Sequence, residues 1–133
     1  MIFIDRSIPR GVAEAVRRMR EDVIWLEDEF PHDVPDEKWL AVAGEKGWLV
    51  ITHDRKIRTR PGERRAIMEN GVGCFIMTYR QDLKKEEIVA LITSTLEEME
   101  RKFETTPRPF IYTVSKGGEF REYARSRGAL NSK

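Results

Sequence analysis

Short apolar runs alternate with longer mixed stretches along this chain. The runs are Met1-Ile2-Phe3-Ile4, Val23-Ile24-Trp25-Leu26, Trp48-Leu49-Val50-Ile51-Thr52, Val72-Gly73-Cys74-Phe75-Ile76-Met77-Thr78 and Phe110-Ile111-Tyr112-Thr113-Val114. Each is only a few residues long, rich in β-branched and aromatic side chains, and bounded by polar or turn residues, which predicts buried strands. Between them the apolar positions recur at helical spacing. Val12, Ala15, Val16 and Met19 share a face after Pro9, a residue suited to a first helical turn. Trp39, Leu40, Val42 and Ala43 make a second face running from Asp36 to a stop at Gly47. The basic segment with Pro61-Gly62 reads as a loop leading into a short helix through Ala66, Ile67 and Met68 that ends at Asn70-Gly71, and Ile88, Leu91, Ile92, Leu96, Met99 and Phe103 define the longest helical pattern. The stretch Glu27 to Pro35 reads as an acidic loop, its two prolines excluding regular structure.

Strands alternating with helices indicate βαβ units, hence an α/β fold whose mainly parallel, five-stranded central sheet carries helices on both faces. Right-handed crossovers follow from the same rule. The expected organisation is one domain over residues 1–115 and a polar, basic tail over 116–133, weakly ordered or docked beyond Lys116-Gly117-Gly118. At 133 residues and 40% hydrophobic content the chain can bury one core and is short for two. The lone cysteine, Cys74, lies inside an apolar run and reads as a buried thiol, so no internal disulfide exists. With no stretch apolar enough to span a bilayer and no leader pattern, a protein of the reducing cytoplasm is expected, with no membrane partner.

Net charge is only +1, yet it is unevenly spread. The segment from Asp22 to Glu37 carries acids and no lysine or arginine, whereas Arg55 to Arg65 reads RKIRTRPGERR. Three acids then matter by position. Asp5 and Asp54 close or follow apolar runs, and Asp36 opens an amphipathic one. In a parallel sheet, ligands bind at the carboxyl edge near a topological switch point, where Asp5 and Asp54 would lie and Asp36 could reach. Carboxylates gathered without compensation would repel and take up protons, so such a cluster implies a divalent cation held by hard oxygen ligands. That points toward metal-assisted phosphate chemistry. The structural alternatives are a helix N-cap for Asp36, a loop acid before Pro9 for Asp5 and a turn residue for Asp54.

The segments Phe3-Ile4-Asp5-Arg6-Ser7-Ile8-Pro9, Asp36-Glu37-Lys38-Trp39-Leu40 and Val50-Ile51-Thr52-His53-Asp54, in that order, resemble the PIN-like nuclease superfamily, and within it the compact prokaryotic proteins related to VapC-type toxins. The resemblance covers about Met1 to Tyr79. It implies a three-layer α/β/α sandwich and a ribonuclease dependent on Mg2+ or Mn2+, often the toxin of a toxin–antitoxin pair, with RNA and a cognate antitoxin as partners and a homodimer as its assembly. Matched residue by residue, it makes Asp5, Asp36 and Asp54 the catalytic metal ligands, with Ser7 and Thr52 orienting carboxylates by hydrogen bonds. One departure stands out: relatives commonly carry another acid two residues after the one at Asp54, and this chain has Lys56. Glu37, Asp33 and Glu63 are the candidate replacements. Arg55, Lys56, Arg58, Arg60, Arg64 and Arg65 would line the rim and hold the phosphates of single-stranded RNA.

The remaining residues have plainer readings. His53 should point away from Asp54 and cap the strand end, His32 is solvated, and Trp25, Trp39 and Trp48 belong to the core. Two other functions compete. Lys56 in place of an acid leaves room for a non-catalytic PIN-like module that binds RNA or protein. A phospho-acceptor receiver domain would use Asp54, Thr78 and Lys116, but receivers resemble one another in a pair of acids after the first strand, and here Asp5 is followed by Arg6.

Overall fold

In this computed structural model, which describes residues 1–125, Ile2–Ile4 (β1) and Leu49–Thr52 (β3) pair in parallel, with Ile4 opposite Ile51. On the far side of β1 runs Val23–Trp25 (β2), and beyond β3 come Gly73–Met77 (β4), Phe110–Val114 (β5) and Phe120–Arg125 (β6), giving the order β2-β1-β3-β4-β5-β6. All pairings are parallel except β5 with β6. Side chains alternate across each strand and so build two cores. Ile2, Ile4, Leu49, Ile51, Phe75 and Met77 face Arg10–Arg17 (α1) and Lys85–Thr105 (α5), through Val12, Val16, Leu91, Ile92 and Met99. Phe3, Val50, Cys74, Ile76 and Ile111 face Asp36–Lys46 (α3) and Pro61–Asn70 (α4), through Trp39, Leu40, Ala43 and Ile67. The result is the three-layer α/β/α arrangement expected, with Trp25, Trp39, Trp48 and the Cys74 thiol all buried.

Helix boundaries follow local chemistry. Gly47 ends α3 in the left-handed region (φ 68°), where its N–H and that of Trp48 satisfy the carbonyls of Gly44 and Ala43. A Cβ at Gly44 would lie 2.1 Å from the carbonyl oxygen of Asn70, so only glycine lets α3 and α4 close on each other there. At their other ends the Glu37 carboxylate lies against Gly62. The two helices therefore run side by side in one direction, with both N-termini at the carboxyl edge of the sheet.

Four expectations need correction. The sheet has six strands because Phe120–Arg125 pairs antiparallel with β5, after a turn in which Gly118 adopts φ +81°. Its charged composition hides it from an apolar-run reading, and an edge strand tolerates such composition. Residues 126–133, the rest of the expected tail, lie outside the described residues. Leu26–Glu29 (α2) is a helical turn within the expected acidic loop, held by the Asp28 carboxylate accepting the Trp25 N–H at 3.0 Å; the prolines lie beyond it. The helix α4 begins at Pro61, and a 3-10 turn over Arg55–Arg58 precedes it. Met19, expected on the buried face of α1, is 65% exposed because the helix stops at Arg17.

Candidate functional site

The strand order reverses at β1, which has β2 on one side and β3 on the other, so a crevice opens at the carboxyl ends of β1 and β3. Asp5 and Asp54 leave those two strands, and the Asp5 N–H donates to the Ile51 carbonyl at 3.1 Å, locking the loop after β1 onto β3. The Asp5 side chain is buried. One carboxylate oxygen accepts the Ser7 N–H and hydroxyl, each at 2.5 Å, and the other accepts the Thr52 hydroxyl at 2.6 Å. Those hydroxyls are themselves oriented by backbone donors, His53 N–H to Ser7 at 2.8 Å and Asp54 N–H to Thr52 at 3.0 Å. Burial pushes the Asp5 carboxyl above the ordinary aspartate range, the Ser7 and Thr52 hydrogen bonds pull against it, and the nearby charge of Asp36 raises it further. Among the described residues no lysine or arginine pairs with it.

Asp36 is the first residue of α3 and makes no capping bond, so the N-cap explanation fails. Its carboxylate instead accepts Arg6 Nη2 and Trp39 Nε1, both at 2.9 Å, while Arg60 Nη1 stands 3.8 Å from its other oxygen. The Arg6 guanidinium also reaches the His32 carbonyl at 3.1 Å, tying the loop before α3 to the one after β1. Asp54 does take a turn role, accepting the Lys56 N–H at 3.0 Å to cap the 3-10 turn. Its second oxygen accepts Arg60 Nη1 at 3.1 Å, and the same guanidinium reaches Glu63 at 3.2 Å. One arginine thus bridges Asp54, Glu63 and the edge of Asp36.

Beside Asp54 a concavity of about 510 Å3 is lined by Ser7, His53, Asp54, Arg55, Lys56, Arg60 and Gln81; Asp5 and Asp36 do not line it. His53 stacks on the Tyr79 ring with centroids 3.8 Å apart and donates from Nε2 to the Tyr79 carbonyl at 2.8 Å, so it fastens β3 to the end of β4. His32 is exposed near Glu27, Asp33 is exposed, and Glu37 lies over Gly62 at the start of α4. The basic segment divides. Arg55, Lys56 and Arg65 are exposed, Arg58 and Arg64 turn toward Tyr123, and Arg60 turns inward to the acids. Arg6 and Gln81 were not singled out in the sequence, since only the closed loops bring them to the crevice.

Among the described residues, no three His, Cys, Asp or Glu side chains converge closely enough to hold an ion as they stand. The donor chemistry nevertheless suits a hard divalent cation. The candidates are carboxylates, one of them lacks a cationic partner, and a guanidinium stands between the other two where positive charge is demanded.

A doubly wound sheet with acids at its switch point defines the class, and the chain belongs to the PIN-like domain family: the family model described as "PIN like domain" matches residues 1–79. That span contains Asp5, Asp36 and Asp54. The chain is similar to the "Putative ribonuclease VapC45" of Mycobacterium tuberculosis (strain ATCC 25618 / H37Rv), with 32% identity over 120 residues covering 85% of this chain and 84% of that protein. No solved structure matches it. The receiver alternative falls with the family assignment. The Thr78 hydroxyl, its supposed phosphate contact, donates instead to the Val114 carbonyl at 3.2 Å, and Arg6 after Asp5 is committed to Asp36.

Proposed function

We propose that this chain is a ribonuclease of PIN type that hydrolyses RNA phosphodiester bonds at a site of Asp5, Asp36 and Asp54 carrying Mg2+ or Mn2+, and that it acts in the cytoplasm as the toxin of a toxin–antitoxin pair. The observation that supports the reading is that Arg60 bridges Asp54 and Asp36 at the β1/β3 switch point, close enough to Asp5 that the charge of Asp36 acts on it, all inside the span that the family model matches. The ribonuclease name of the mycobacterial relative supports the substrate class, and RNA and a cognate antitoxin are the partners that follow. A bound divalent cation supplies Lewis-acid stabilisation of phosphate charge and a water of lowered pKa.

The chain's own residues do the rest. Ser7 and Thr52 hold the Asp5 carboxylate in one orientation, so the one lone pair left, on the oxygen that accepts Thr52, faces a fixed direction. Arg6 and Trp39 fix Asp36 in the same way, leaving its second oxygen facing Arg60. The N-termini of α3 and α4 add partial positive charge at the edge that receives the phosphate. Arg55 and Lys56, exposed at the concavity, and Arg65, exposed on α4, take flanking phosphates. Arg60 is placed to leave the acids and follow the substrate's charge.

The test is degradation of a single-stranded RNA with magnesium, with and without chelator, by the wild-type chain and by Asp5→Ala and Asp54→Asn. Cleavage should require the metal and fall by at least about a hundredfold in Asp54→Asn, which removes a ligand charge while an amide oxygen still caps the 3-10 turn. Undiminished cleavage by that variant would refute the assignment. A second reading, a module that binds RNA or protein without cutting, is favoured by Lys56 and by the arginines already seated on Asp36 and Asp54. Binding without metal-dependent cleavage would select it.

A further inference from the structure

Two arginines of the basic segment have an unusual use. Arg58 and Arg64 take part in no ion pair among the described residues, although carboxylates are common on this surface and Arg17, Arg20, Arg60, Arg101 and Arg125 all find one. Both instead lie over one aromatic ring, that of Tyr123 on β6, with guanidinium carbons 4.9 and 5.7 Å from its centroid. Arg64 also donates to the Arg58 carbonyl at 3.3 Å, which ties the N-terminal half of α4 to the 3-10 turn. Tyr123 remains 44% exposed, one of the few large apolar side chains so open to solvent. Arg60, between these arginines in sequence, contacts Asp54. The 3-10 turn and the start of α4 thus connect the ring and its guanidiniums to the acid site along the chain.

We propose that Tyr123, Arg58 and Arg64 form a platform on which an unstacked base of single-stranded RNA stacks while the guanidiniums hold the flanking phosphates. The proposal rests on the RNA-directed reading above and extends its substrate to a strand that runs from the acid crevice across the 3-10 turn to the edge strand β6. The guanidiniums lie over the Tyr123 ring, yet the residue stays 44% exposed, so aromatic surface and positive charge are offered together, and every base has a face that can stack on such a surface. A-form duplex does not fit the same platform, because its base faces are stacked on one another and only edges, hydroxyls and phosphates are offered. The platform thus selects strandedness, not sequence.

The experiment is fluorescence anisotropy of the full chain with a short labelled, unstructured oligoribonucleotide and with its duplex, in chelator so that nothing is cut. Melting temperatures of each variant report folding. Wild type should prefer the single strand. Tyr123→Ala should weaken that binding about tenfold, Tyr123→Trp should restore it, and neither should alter duplex binding. Arg58→Gln and Arg64→Gln should weaken both ligands and each lower the salt slope by about one. Wild-type affinity in a folded Tyr123→Ala, or an equal loss for duplex, would overturn the platform. Parallel assays with magnesium separate the two claims. Cleavage by wild type with no effect at Tyr123 removes the platform alone, whereas Tyr123-dependent binding without cleavage keeps it and removes the nuclease reading.

Discussion

Arg60 is the residue that ties the proposed acid site together. Its guanidinium stands 3.1 Å from Asp54, 3.2 Å from Glu63 and 3.8 Å from Asp36, and so satisfies part of the demand for positive charge that a divalent ion would otherwise meet. Two cations cannot share that space cheaply, since like charges repel as strongly as the acids attract. Arg60→Ala should therefore bind magnesium more tightly, by about threefold to tenfold in a calorimetric titration, while losing affinity for RNA. Equal or weaker metal binding in the variant would mean that Arg60 does not compete for the acids. The sequence indicated that Arg60 lies beside Asp54, and it grouped Arg60 with five other rim cations. Side-chain direction separated them, because Arg58 at the end of the 3-10 turn faces β6 while Arg60, just before α4, faces the acids. Asp36 was similarly legible as an acid opening a helix, but its partners Arg6 and Trp39 were set by the meeting of two distant loops.

At the scale of elements, the site depends on how closely α3 and α4 approach. Asp36 opens one helix and Arg60 immediately precedes the other, so the spacing between the helices sets the distance between acid and guanidinium. Gly44→Ala would place a methyl 2.1 Å from the Asn70 carbonyl oxygen, forcing the helices apart. We expect a loss of about 2 kcal/mol or more in urea unfolding, and a shift in metal affinity besides. A variant as stable as wild type would show that the helices yield there freely. At the opposite edge of the sheet, Arg20 beyond α1 bonds Glu100 of α5 at 2.6 Å and Asp22 before β2 at 3.0 Å. Burial pushes the Asp22 carboxyl up, but the Arg20 hydrogen bond, a backbone donor and nearby positive charge together hold it below the ordinary range. A carboxyl whose pKa is lower in the folded state stabilises the fold above its unfolded pKa and loses that contribution as pH falls through the folded value. Asp22→Asn should thus melt slightly below wild type at pH 7, and the gap should close in the acid range below about pH 4. Because Asp22 is largely solvated, the effect should stay under about 1 kcal/mol. A gap that persists at low pH would assign it to packing.

For the whole molecule, near-neutral net charge conceals a separation of sign that the fold makes useful. The chain leaves β3 at Asp54 and enters the basic 3-10 turn at once, so the acid crevice and the cationic rim are neighbours by connectivity. A preformed metal site has a thermodynamic signature: an ion that binds only the folded state must stabilise it. At ten times the dissociation constant this amounts to about 1.4 kcal/mol, or a rise of about 3–5 °C in melting temperature for a domain of this size. Asp5→Ala should abolish the rise. A melting temperature that stays flat across a magnesium titration of wild type would mean that the acids do not act together without substrate.

The apolar runs, their lengths and the helical spacing between them determined five parallel strands, the principal helices and the carboxyl edge that Asp5 and Asp54 follow, because burial on both faces of a parallel sheet writes itself into composition. They did not determine β6, whose residues pair by backbone hydrogen bonds at an edge where charged side chains are tolerated, nor the turn at α2. Only the tertiary structure decided which cation meets which acid and which aromatic stays open. Those contacts join residues far apart in the chain, such as Arg6 with Asp36 and Arg58 with Tyr123, and side-chain direction at such meetings follows from packing and not from local pattern.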